Sequence, residues 1–288
     1  MLRAEQRTVV TEDGTSLNVH LLTAEHTGPS TPTIVMAHGW TLSSESWLPV
    51  VRALADDDVR IVLWDQRGHG SSALGLRRNE IRTASVTQLG RDLHTVISAV
   101  VPAESPIVLA GHSMGGMTVL SYAGQFPLEL QERVRGVLLV ATAAGGLRMG
   151  RRRGEKTFMK VLAHGLPVAA GPVITARSQR ALLFGDDADP QDVRATRAQV
   201  GATPLPTMGT FYGALSRFDE QESLAALHGL PVVVLVGSRD RLTPAVLSER
   251  LAGGIPGSRL TVLPGKGHML TYEATDEVVA ALRELIAA

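Results

Sequence analysis

The chain has 288 residues, 44% of them hydrophobic and 19% charged, enough apolar material for one large core or a core with a modest insertion, which excludes a disordered or fibrous protein. Its 28 basic and 28 acidic residues cancel to a formal net charge of +0, so no overall field recruits nucleic acid or an anionic membrane surface. Cysteine is absent, which removes disulfides, thiolate metal sites and a thiol nucleophile together. The first seven residues lack the apolar core of a signal peptide, and no apolar run approaches the roughly 18 residues of a bilayer span. A cytoplasmic location without membrane insertion is the expectation.

Residues 6–10 and 17–22 are β-prone runs joined by Glu12-Asp13-Gly14-Thr15, whose Asp-Gly pair supplies hairpin chemistry, so they predict an antiparallel edge. Residues 33–37 are nearly all apolar, the pattern of a strand covered on both faces, and end at His38-Gly39-Trp40; a helix ending near Ala55 follows. Residues 60–64 form a second buried strand, closed by the polar, glycine-punctuated loop Asp65-Gln66-Arg67-Gly68-His69-Gly70-Ser71-Ser72. From Val86 the positions Leu89, Leu93, Val96, Ile97 and Val100 follow helical spacing until Pro102 stops the helix. The next apolar run, from Pro106, breaks into Gly111-His112-Ser113-Met114-Gly115-Gly116, with a helix from Met114 to about Phe126. Glycines on both sides let the chain turn tightly enough to hold Ser113 in a strained conformation with its hydroxyl exposed. Such a short motif carries weight only in context.

Residues 134–141 give another buried strand. From about 143 to 221 no strand-like run occurs. The segment holds a basic cluster (Arg148, Arg151, Arg152, Arg153, Lys156 and Lys160) and helix-compatible pieces at 157–163 and 191–200; too long for a plain loop, it predicts a helical insertion. The strand rhythm resumes at 231–236 and ends in Gly237-Ser238-Arg239-Asp240, before a helix capped at Thr243 with Pro244 in its first position. A last strand, 259–263, leads to Pro264-Gly265-Lys266-Gly267-His268, and Thr275 opens a terminal amphipathic helix. Strands alternating with helices predict an α/β fold: a mostly parallel eight-stranded sheet with helices on both faces.

In open parallel sheets functional groups collect just beyond the C-terminal ends of the strands. Four such ends carry His38-Gly39-Trp40, Ser113, Asp240 and His268, among them a nucleophile, a general base and a carboxylate able to orient that base. On these residues the chain resembles the α/β-hydrolase fold family, in its serine-nucleophile branch with a helical cap. The order Ser, Asp, His is that family's. The likeness runs through the His38-Gly39 turn, the loop 65–72, the Gly111 to Gly116 elbow, Gly237-Ser238-Arg239-Asp240 and Gly265-Lys266-Gly267-His268, nearly the whole chain.

The resemblance implies Ser113 as nucleophile, His268 as general base and then acid, Asp240 as its orienting carboxylate, and the backbone N–H groups of Trp40 and Met114 as oxyanion hole. It implies a core of residues 1–142 and 222–288 with a cap, 143–221, over the strand ends. The candidate pocket residues are His38, Phe158, Leu162, Phe184, Phe211 and Met269. The implied reaction is hydrolysis of an ester-like bond in a small, largely apolar molecule through an acyl-serine, with no metal and no organic cofactor. A serine nucleophile argues against the epoxide-hydrolase and haloalkane-dehalogenase branches, which place a carboxylate there. Carbon–carbon, thioester, lactone or amide cleavage, perhydrolysis, and a cofactor-free lyase or cyclase step use similar machinery, and a ligand-binding receptor could retain the pocket. Natural substrate and oligomeric state stay open.

Plainer roles compete for several residues. Arg239 and Arg241 flank Asp240 and offer it a structural ion pair. His69 and His112 read as loop-ordering, and Asp65 as structural. The Gly68-x-Gly70 loop lacks the Lys-Ser/Thr of a phosphate loop. The basic run reads as a solvated helix face, with an anion-recognition patch as the alternative.

Overall fold

Apolar runs with no polar face need cover on both sides, and a central sheet supplies it. In the computed structural model, which describes residues 2–24, 27–75, 84–147, 149, 154–165, 169 and 176–288, strands β3 (Thr33–Ala37), β4 (Arg60–Trp64), β5 (Ile107–His112) and β7 (Val232–Gly237) are buried at every position. With β1 (Arg3–Val10), β2 (Ser16–Thr23), β6 (Val134–Val140) and β8 (Arg259–Leu263) they make one eight-stranded sheet in the order β1-β2-β4-β3-β5-β6-β7-β8. The β1/β2 and β2/β4 pairs are antiparallel and the rest parallel. The expected hairpin edge and parallel centre are both present.

Alternate residues of each central strand feed opposite cores, as the twofold strand period demands. Val35, Val62 and Leu109 pack with α2 (Val86–Val100) and α3 (Met114–Gln125), while Ile34, Ile61 and Val108 pack with Trp47, α1 (Leu48–Ala53) and α11 (Thr275–Ala287). Helices therefore cover both faces. The strand order reverses at β3, which leaves a crevice beyond the carboxyl ends of β3 and β5, where ligands of open α/β sheets bind. Among the helices not expected is α4 (Pro127–Arg133), which Pro127 starts, since a proline at the first helical position forfeits no hydrogen bond.

Between β6 and β7 lie α5 (Glu155–Ala163), α6 (Ala176–Leu183), α7 (Pro190–Ala202) and α8 (Leu205–Leu215). The pieces read at 157–163 and 191–200 fall inside α5 and α7. The segment closes at its base through a Gly145–Asp219 bridge and a 2.7 Å hydrogen bond from the Glu220 N–H to the Ala144 carbonyl. Its last helix is no separate layer, because Phe211, Ala214 and Leu215 share a core with Met114 and Met117. Helix α5 crosses α8 at Gly209, where a Cβ would stand 2.4 Å from the Met159 carbonyl oxygen. Lys156 and Lys160 are exposed on α5, whereas Arg148, Arg151, Arg152 and Arg153 of the basic run lie outside the described residues. Among the described residues no helix is long and apolar enough to cross a membrane.

Candidate active site

Three non-glycine residues among those described have positive φ: Thr41 (61°), Ser113 (53°) and Ala141 (47°). Each follows the C-terminal end of one of the adjacent strands β3, β5 and β6. Such backbone strain costs of order 1–3 kcal/mol per residue and persists where surrounding structure over-determines it, typically at functional sites. The strain thus marks the same crevice as the strand order.

The turn at Ser113 is built by missing side chains. A Cβ on Gly111 would lie 2.5 Å from the Gly115 carbonyl oxygen, and one on Gly115 only 2.0 Å from that of Ala37. Substitution at either position would force the turn open or push α3 away from β3. Ser113 sits at the N-terminus of α3, where the helix dipole favours negative charge. Among the described residues, neither the Met114 nor the Trp40 backbone N–H has an acceptor; Met114 adjoins Gly115, and Trp40 lies three residues past Ala37, which Gly115 approaches closely.

His268 and Asp240 meet as the sequence predicts. His268 Nδ1 donates to Asp240 Oδ2 at 2.8 Å, with both residues buried. Asp240 Oδ1 accepts the Leu242 and Thr243 amides at 2.9 Å each, and the Thr243 hydroxyl stands 2.8 Å from Oδ2. Burial pushes the Asp240 carboxyl up, but the facing His268 ring and these hydrogen bonds outweigh it and hold the group below the usual carboxylate range. The flanking arginines are occupied elsewhere: Arg239 pairs with Asp186 and Arg241 donates to the Ala181 carbonyl. Thr243 is not the expected helix cap. Helix α9 (Ala245–Gly253) has Pro244 at its N-cap and no side-chain cap, and the Thr243 hydroxyl faces Asp240 and the Ala141 carbonyl instead.

His112 ties the serine turn to the histidine loop. Its Nε2 donates to the His268 carbonyl at 2.9 Å, and the two rings lie 5.0 Å apart. Burial, with His268 nearby, lowers His112 to about 3, so the ring is neutral. Among the described residues Ser113 Oγ and His268 Nε2 share no hydrogen bond, and contacts of this kind commonly tighten only when substrate is engaged.

The candidate pocket residues divide. Phe184 and Met269 come together with Leu42 and Val193 in one small buried cluster. Phe211 is buried in the main core against His69, ring centroids 5.2 Å apart, and Leu162 is half-buried on α5. Phe158 is 54% exposed, because α8 covers the Met159 and Ala163 side of α5 and leaves Phe158 to solvent. His38 offers nothing to a ligand: it is fully buried, Nδ1 donates to the Gly39 carbonyl at 2.7 Å and Nε2 accepts the Gln66 N–H at 2.9 Å. Gln66, which sequence reasoning passed over, also binds the His38 carbonyl and the Thr118 hydroxyl, so it pins the Trp40 turn to α3. His69 and Asp65 hold the neighbouring loop, as read from the sequence.

A family model described as serine aminopeptidase, S33, matches residues 28–275. The chain belongs to that family. This S33-type hydrolase is 27% identical over 274 residues to a pimeloyl-(acyl-carrier protein) methyl ester esterase of Stenotrophomonas maltophilia, covering 89% of the chain and 93% of the relative. It is also similar to the solved structures of a thermophilic esterase from Thermogutta terrifontis (TM-score 0.79, 23% identity, 98% of each chain) and an enol-lactonase from Burkholderia xenovorans (TM-score 0.80, 21% identity, 98% of this chain and 100% of that one). At those identities the solved structures speak for the fold alone. Family and fold together make the chain an S33-type serine hydrolase of the α/β-hydrolase fold.

Proposed function

We propose that Ser113, His268 and Asp240 form the catalytic triad of an ester hydrolase, with the Trp40 and Met114 amides as its oxyanion hole. The observation that carries this reading is the buried 2.8 Å His268–Asp240 hydrogen bond beside a serine strained to φ 53°. Asp240 fixes the proton on Nδ1, which leaves Nε2 free to take the proton of Ser113 as Oγ attacks the ester carbonyl. Negative charge then develops on the carbonyl oxygen, and each amide aimed at it stabilises the transition state by roughly 3 kcal/mol. Collapse breaks the C–O bond, His268 returns its proton to the departing alkoxide, and the acyl group stays on Ser113. Water, deprotonated by His268, releases the acid and regenerates the serine hydroxyl.

In the same reading residues 143–221 act as a cap over the strand ends and admit a largely apolar acyl group. The apolar cluster of Phe184, Val193, Leu42 and Met269, at the joint between that segment and the histidine loop, supports this. The ester bond named for the Stenotrophomonas relative supports the bond class. A fluorophosphonate probe is expected to label Ser113, and short-chain nitrophenyl esters to turn over, with Ser113→Ala abolishing both. Well-folded protein that the probe leaves untouched would end the proposal.

A further inference from the structure

The glycine-rich loop that carries His268 is held on one side by His112 and the end of β7, where the Arg239 N–H donates to the Lys266 carbonyl and the Gly265 N–H to the Ser238 hydroxyl. On the other side it is held by the end of α6. The backbone N–H groups of His268 and Met269 donate to the Leu183 carbonyl at 2.8 and 3.2 Å, and that of Asp186 donates to the Gly265 carbonyl at 2.8 Å. The two segments lie too close for side chains: a Cβ on Gly185 would stand 1.9 Å from the Gly265 oxygen, and one on Gly267 2.5 Å from the Gly185 nitrogen.

Glu273 completes the joint from the end of α10 (Leu270–Glu273). Its Oε2 accepts the Gly185 N–H at 2.7 Å, both oxygens accept the Gly267 N–H at 3.1 Å, and Oε1 accepts the Met269 N–H at 3.2 Å. An acid serving only to cap α10 would stop at Met269. This one reaches across to the connection after α6, 88 residues away in sequence. Burial raises its pKa, against the pull of the three amides and Lys266.

We infer that Glu273 is a positioning residue for His268: its carboxylate locks the end of α6 to the histidine loop, so the aim of the base depends on a contact with the segment between β6 and β7. The inference rests on the reading of His268 as general base. Glu273→Gln keeps the shape but only one acceptor oxygen, so at least one of the Gly185 and Met269 amides is left facing an NH₂. Gly185→Ala perturbs the same joint from the other side, and Glu273→Asp retains the charge at shorter reach.

Glu273→Gln and Gly185→Ala are each expected to lower kcat on a short-chain nitrophenyl ester about tenfold or more while KM stays within about threefold. Labelling of Ser113 by a fluorophosphonate should slow in parallel. The low-field proton resonance of His268 Nδ1–H, bound to Asp240, should shift or broaden, and Glu273→Asp should recover part of each effect. A folded Glu273→Gln variant with the parent's kcat, labelling rate and resonance overturns the inference, even if it melts lower. Should the parent neither label nor turn over esters, the hydrolase reading fails separately, and the resonance alone decides: unchanged in Glu273→Gln, it overturns the positioning role. Should Gly185→Ala not fold, the two Glu273 variants carry the test.

Discussion

Asp240→Asn alters one atom where four hydrogen-bond contacts converge. Oδ1 is claimed by the Leu242 and Thr243 amides at 2.9 Å each, so the asparagine oxygen stays with those donors and its NH₂ takes the place of Oδ2, 2.8 Å from His268 Nδ1. An NH₂ donates, so Nδ1 must accept and the ring proton moves to Nε2, the nitrogen that has to be bare to receive the proton of Ser113. The neutral ring is then in the wrong tautomer, and the imidazolium formed during acylation loses its counter-charge. Turnover is expected to fall about 10⁴-fold, roughly 5.5 kcal/mol of transition-state stabilisation.

The fold should survive that change. The Thr243 hydroxyl lies 2.8 Å from both the Ala141 carbonyl and Asp240 Oδ2, so it can turn its proton to Ala141 and accept from the new NH₂. The stability cost is then one charge-assisted hydrogen bond, about 1.5–3 kcal/mol. Pre-steady-state acylation by a nitrophenyl ester measures the first effect, and urea unfolding the second. A folded Asp240→Asn protein that keeps a tenth of the parent's acylation rate would refute the tautomer argument and send the search to another acid.

Acid should destabilise the fold well above the carboxylate range. His69 and His112 are lowered by burial from 6.5 to about 3, so the unfolded chain binds more protons between those values, and stability present above pH 6.5 is lost as the pH falls through that window. The slope is up to about 1.4 kcal/mol per pH unit for each histidine, and urea midpoints that stay level from pH 7 to 5 would refute it. Arg67→Met removes the guanidinium that binds the fully buried Asp92 through two nitrogens and also reaches Asp13. An uncompensated buried carboxylate is expected to cost about 3–5 kcal/mol in urea unfolding, and a loss under about 1 kcal/mol would show the network to be dispensable.

The central strands are legible in the sequence because a strand covered on both faces leaves little room for polar residues. Strands β3 and β4 begin and end where the apolar runs place them, β6 and β7 fall within one residue of those runs, and β5 runs two residues past Ala110 to His112; β8, part-exposed at the sheet edge, also matches its run. Helix α8 was not legible for the opposite reason. Its Pro206, Thr207, Gly209, Thr210, Phe211 and Tyr212 are all buried, so it has no one-sided stripe, and its Gly209 answers to the crossing of α5 rather than to any helical preference. A helix enclosed on all sides by its own protein resembles an irregular apolar segment when read alone.

At the candidate site the division runs between side chains and main chain. Ser113, Asp240 and His268 stand out because each is a reactive residue at a strand end with glycine close by. Thr243 misleads because a threonine before proline reads as a helix cap, yet the Asp240 carboxylate already takes the Thr243 amide and draws its hydroxyl inward. Gln66 and Glu273 carry no signal at all, since what they bind is largely backbone: the carbonyl of His38, and the amides of Gly185, Gly267 and Met269. Every residue except proline offers such an amide, so no residue type marks where one will be needed. The Trp40 and Met114 amides, expected to face the oxyanion, are of this kind. They could be named from the sequence only through the resemblance, and the close Gly115–Ala37 approach brings together the turns that carry them.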